Sequence, residues 1–251
     1  MALFKTGNPA LQQSTFAGFD RIADEENAMS LQGTVNKTAL LLLAVFLGAM
    51  YTWRLFGSTG DFAAVAPLFW IGLLGGFVVG LVISLKKTLA PYLAIVYAAL
   101  EGLCLGGLSA MMDSAYPGIA IEAFLLTFAI CAVLLVVYTT RIIKPSENFR
   151  LIIVSATGGI AVYYLISLGL SFFGVRAPLV NDNSLLGIGF SLVVVVIAAL
   201  NLVLDFDFIE QGAANRIPKY MEWYGAFGIV ATLVWLYIEL LRLLAKLRSR
   251  R

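Results

Sequence analysis

The chain has 251 residues, 61% of them hydrophobic and only 13% charged, with a mean hydropathy of +0.92 and a formal net charge of +2. A soluble domain carries roughly a quarter charged residues, so this composition excludes one and indicates a polytopic all-α membrane protein. The small net charge gives no basis for a nucleic-acid partner.

Residues 1–36 form a polar N-terminal segment, flexible or amphipathic, with an acidic cluster at Asp24, Glu25 and Glu26. It lacks the basic start, apolar core and cleavage site of a signal peptide. Phe16, Phe19 and Ile22 share one face of a possible short helix lying on the membrane. Seven apolar runs follow, at about 38–57, 62–85, 89–112, 117–139, 150–173, 184–208 and 223–245. Each is near the ~20 residues that cross a bilayer as a helix. The short connections predict a bundle of seven antiparallel transmembrane helices over 37–246, followed by a basic tail, 247–251. Gly76, Gly80, Gly102 and Gly106 have the small-xxx-small spacing that lets membrane helices approach closely. Pro91 sits near a helix start, where its missing N–H costs little.

Charge sets the expected orientation. Lys5, Arg21, Lys37, Lys86, Lys87, Arg141, Lys144, Arg150, Arg216 and Lys219 fall on one side, against Arg54 and Arg176 on the other. The N-terminus is therefore expected in the cytoplasm. The sequon-like Asn36-Lys37-Thr38 abuts the first span on that side and is discounted. The C-terminal cations Arg242, Lys246, Arg248, Arg250 and Arg251 oppose the rule, unless the last segment re-enters the membrane. Seven full spans is the reading adopted.

Histidine is absent and the two cysteines, Cys104 and Cys131, lie inside apolar runs. That removes His-ligated zinc, Ser-His-Asp and Cys-His catalysis, the imidazole switch and a disulfide framework. With no metalloprotease or nucleophile motif either, an enzyme and an organic cofactor are not expected. Sensing of pH near neutrality would fall to carboxylates shifted by burial or by a second carboxylate.

Four acids sit in or at the edge of spans: Glu101, Glu122, Asp205 and Glu239. Ionisable groups in lipid are functional candidates by default. Local alternatives stand beside that reading. Glu239 and Arg242 are three apart on one helix face and suit a local ion pair. Glu122 follows a probable helix start and suits the positive end of that helix. Asp207 points roughly opposite Asp205, toward headgroups or water. Glu101 has no base within a turn, and Asp205 has only Asn201 one turn below it.

Leu204-Asp205-Phe206-Asp207-Phe208-Ile209, followed by Leu236-Tyr237-Ile238-Glu239, resembles the two acidic motifs of the Bax inhibitor (transmembrane Bax inhibitor motif) family. Glu122-Ala-Phe with Thr127 resembles that family's fourth span, and Leu100-Glu101-Gly102-Leu-Cys-Leu-Gly106 its third. Asn8-Pro9-Ala10-Leu11 is similar to a bacterial-type long branch, which implies a bacterial inner membrane.

The resemblance implies a seven-helix, pH-sensitive calcium leak in which Asp205 and Glu239 share a proton that holds the pore shut. A calcium ion at Asp205 and Glu239, completed by water and carbonyls, belongs to the same expectation. The chain departs from the family pattern in three places. Glu replaces Asp at 239. About ten extra residues separate Asp205 from Glu239, predicting a longer sixth loop. Lys86 and Lys87 stand near the place of a latching arginine, and lysine has no planar fork. Contact between the acids further requires span six to run past Asp205, or residues 214–226 to lie at the interface. The competing expectation is an interaction protein restraining a membrane protease or a cell-death or stress partner.

Overall fold

Ser30 starts the first span, its hydroxyl accepting the Gly33 N–H at 3.0 Å. Helix α1 (Leu31–Thr59) then runs until Gly60 turns left-handed at φ 67° and returns its N–H to Phe56. The computed structural model describes residues 25–143, 145–174, 179 and 182–250. Six more helices follow: α2 (Phe62–Leu85), α3 (Ala90–Ala115), α4 (Ile119–Thr139), α5 (Glu147–Phe172), α6 (Leu185–Ala214) and α7 (Met221–Arg248). Asp61, Ser146 and Ser184 cap α2, α5 and α6 as Ser30 caps α1, each accepting an orphan N–H of the first turn. Pro91 falls in the first turn of α3. All seven helices are long and apolar enough to cross a bilayer, so the chain is an integral membrane protein. The expected surface helix at Phe16, Phe19 and Ile22, and the charges Lys5, Arg21, Asp24, Lys144, Arg176 and Arg251, lie outside the described residues.

The centre of the bundle is α7. One apolar cluster joins it to α4 and α6 through Ile119, Leu202, Phe206, Leu233 and Leu236. A second joins it to α1, α2 and α3 through Leu41, Ile83, Tyr97, Phe227 and Val230. Glycine permits the closest crossing. A Cβ on Gly106 would lie 2.8 Å from Ala49 Cα, and one on Gly102 would be 3.0 Å from Val45 Cα, so α1 and α3 touch backbone to backbone.

The structure alters two expectations and bears out a third. The ten extra residues between the acids are helix rather than loop: α6 extends to Ala214 and α7 starts at Met221, leaving only 215–220 between them. The N-terminal segment is docked from Ala28 onward and helical from Leu31. Ala28 bridges Pro218, and the Met29 N–H donates to Ile217 O at 2.8 Å. The last helix does not turn back, and its cations are spent inside the protein. Arg242 pairs with Glu239, Lys246 donates to Leu179 O and Gly187 O, and Arg248 donates to Tyr116 O and Pro117 O while pairing with Glu122. Cations bound this way carry little of the weight that free loop charges have in the orientation rule.

Candidate functional site

Two acids well inside the spans, Glu101 and Asp205, have no basic partner among the described residues, and they sit at similar depth from the face where α1 begins, here the N-terminal face. Glu101 is eleven residues into α3, and Asp205 is nine residues before the end of α6. At 1.5 Å per residue both lie ~14–17 Å from that face. Among the described residues, neither joins an ion pair.

Glu101 lies one turn beyond Tyr97 on α3. Gly76 of α2 provides the space, since a Cβ there would come 2.9 Å from Glu101 Oε1. Asp205 faces Gly228 of α7 and lies near Thr232, one turn farther on. Its Oδ2 is closed to solvent and has no partner among the described residues. A Cβ built on Gly228 would meet nothing nearer than Asp205 Oδ1, at 3.6 Å. Gly228 therefore leaves space in front of the carboxyl. An isolated charge is costly in a low-dielectric interior, and among the described residues no base stands beside Asp205 to offset one.

Glu239 is in a different environment. It is 1% exposed and fully engaged: Tyr164 of α5 donates to both carboxylate oxygens at 3.0 and 3.1 Å, Trp235 Nε1 donates at 3.3 Å, and Arg242 Nη1 at 3.0 Å. Arg242 also donates to the Tyr164 hydroxyl at 2.7 Å and lies over its ring. The local ion pair legible at i, i+3 is thus the one that forms.

The expected Asp205–Glu239 pair does not form. Asp205 meets α7 at Gly228 and Thr232, and Glu239 is seven residues farther on, ~10 Å along the axis. Span six does run past Asp205, but the tight 215–220 connection sets 205 opposite the region of 230. Calcium needs oxygens at about 2.3–2.6 Å, so one ion cannot bridge Asp205 and Glu239 at this separation.

The remaining candidates other than Lys86 have structural partners. Glu122 lies in the first turn of α4 and pairs with Arg248 at 2.8 Å. Asp207 pairs with Arg150 of α5 and accepts from Gln211 at 2.8 Å. Asn201 donates to Thr157 Oγ1 and to Ile197 O, both at 2.8 Å. Lys86 is exposed, whereas Lys87 lies over the Tyr224 ring, 5.3 Å from its centroid.

Sequence reasoning missed Glu222, which is 1% exposed. It accepts the Ser30 N–H and hydroxyl, both at 2.9 Å, and pairs with Lys37, tying the start of α7 to the start of α1. Reading Glu222 as a loop residue hid it. Its position two residues into a helix whose first turn favours an acid was the available signal.

A family model described as Bax inhibitor 1 like matches residues 8–249, nearly the whole chain. A search of curated proteins finds no match.

Proposed function

The chain belongs to the Bax inhibitor 1 like family of membrane proteins, and from that premise we propose that it is a pH-sensitive cation leak with calcium as the permeant ion. Asp205 alone is its titrating element in this reading, with the N-terminus in the cytoplasm. The observation that carries the proposal is the Asp205 carboxyl: Oδ2 shut away without a partner among the described residues, and space beside Oδ1 at Gly228. With its proton on, the side chain is neutral and the space beside it stays dry. Loss of the proton places a charge that must be hydrated or met by a cation, and either response opens the path between α6 and α7. A lone carboxylate supplies at most two of the six to eight oxygens calcium takes, so the ion passes with much of its water shell.

Glu239 has a separate role. Its carboxylate and Arg242 fasten α7 to Tyr164 and keep the outer half of the bundle closed. Calcium uptake into proteoliposomes across a pH series tests the proposal. Uptake should vary with pH in the native chain and lose that variation in Asp205→Asn, while Glu239→Gln keeps it. A flat native profile, or one that Asp205→Asn leaves unchanged, refutes it.

A further inference from the structure

Four rings form a continuous layer between the two unpaired carboxyls and the N-terminal face. Phe208 of α6 meets Tyr224 of α7 at 5.9 Å between centroids, Tyr224 meets Phe227 at 6.1 Å, and Phe227 meets Tyr97 of α3 edge-on at 4.8 Å. All three separations fall in the range of favourable aromatic pairs. Each ring is nearer the N-terminal face than the acid on its own helix or opposite it. Phe208 is three residues beyond Asp205 toward that face, Tyr97 is four residues before Glu101, and Tyr224 and Phe227 precede Thr232.

The ends of the layer abut the acids. Tyr97 is one turn from Glu101 on α3, and Tyr224 is one turn before Gly228, the residue that faces Asp205 Oδ1. Gly80 of α2 closes the fourth side, since a Cβ there would come 3.2 Å from the Tyr97 ring and 3.8 Å from Phe227. From the aqueous side, Lys87 holds its ammonium over Tyr224 at 5.3 Å. Tyr97 and Phe227 are 6% and 8% exposed, which leaves water no room between them.

We propose that Phe208, Tyr224, Phe227 and Tyr97 are the N-terminal-side barrier of the conduction path, with Lys87 as the clamp that keeps Tyr224 across it. The inference rests on the leak reading for its physiological meaning, but the barrier itself is a claim about water access. An apolar ring layer one turn from the carboxyls keeps ions from reaching them. Swinging Tyr224 away opens the Asp205 side, and displacing Phe227 opens both sides.

The protein carries its own reporters. Cys131 of α4 packs against the cluster that holds Leu202 and Phe206, the latter next to Asp205 in α6, and Cys104 lies one turn from Glu101 on α3. Both should react slowly with a charged, membrane-impermeant methanethiosulfonate in vesicles holding the native chain. Phe227→Ala should speed labelling of both about tenfold, the factor expected from losing favourable ring pairs in a closed state. Lys87→Gln should speed Cys131 labelling about threefold, the scale of one cation–π contact, and leave Cys104 unchanged. Phe172→Ala, at an 81%-exposed ring outside the layer, should change neither.

Unchanged labelling in Phe227→Ala of native thermal stability would overturn the proposal. If that variant does not fold, Lys87→Gln decides alone: no rise at Cys131 overturns the clamp and the barrier with it. Vesicles that take up no calcium at any pH yet show ring-dependent labelling would remove the leak and leave the barrier standing.

Discussion

Arg242→Met separates a structural role for Glu239 from a proton-sharing one. It removes the only ion-pair partner, among the described residues, of a carboxylate that is 1% exposed, leaving the Tyr164 hydroxyl and the Trp235 N–H as neutral donors. Breaking a buried pair by deleting one partner costs about 3–5 kcal/mol. The Arg242 side chain is 32% exposed, so the lower end applies, about 3 kcal/mol and more than a hundredfold in the folding equilibrium. Replacing both partners with apolar residues removes the stranded charge and leaves two half-buried neutral donors, at about 1–3 kcal/mol for each that finds no water. The double variant Glu239→Leu/Arg242→Met should therefore lose less than the sum of the two single losses, the two substitutions being strongly non-additive. Unfolding in mild detergent, followed by circular dichroism, reads Arg242→Met, Glu239→Leu and the double variant against the native chain. A loss below about 0.5 kcal/mol for Arg242→Met, the scale of an exposed pair, would refute the reasoning.

Three further outcomes follow from the same contacts. Lys37→Met strands Glu222 against Ser30 alone and should cost about 3 kcal/mol in the same unfolding experiment. Gly106→Ala forces a Cβ against the Ala49 backbone of α1 and should cost roughly 1–3 kcal/mol, whereas Gly158→Ala, where an added Cβ meets nothing within 4 Å, should not destabilise through packing. The Asp182 carboxyl is held below the usual aspartate range, first by the Ser184 hydroxyl and then by the Ser184 N–H, before α6 begins. Because the folded value is lowered, this contact supports the start of α6 above the ordinary aspartate range and is lost as pH falls through the lowered one. Amide exchange at Ser184 and Gly187 should accelerate, relative to the intrinsic rate, across that acid range, and Asp182→Asn should abolish the change.

Much of the fold was legible because apolar run length is a strong signal. The second span was read at 62–85 and α2 is Phe62–Leu85. The sixth was read to 208, yet α6 continues through Asp207 and Glu210 to Ala214, because Arg150 and Arg141 pair with those acids across the bundle. A hydropathy run cannot register partners contributed by other helices. The site divided in the same way. That Glu239 has Arg242 one turn on, and that Asp205 has no base near it, are local facts and were readable. That Tyr164 completes the first and Thr232 meets the second depends on how α5, α6 and α7 stand beside one another. The resemblance predicted paired acids, but pairing depends on register, and a six-residue connection between two long helices sets Asp205 against Thr232.

The most direct test of a lone proton-carrying Asp205 is difference infrared spectroscopy of the reconstituted protein through a pH titration. The protonated-carboxyl band that responds to pH should vanish in Asp205→Asn and persist in Glu239→Gln. Loss of the band in both variants would mean a shared proton, and survival in Asp205→Asn would place it on another acid; either result contradicts a gate built on Asp205 alone.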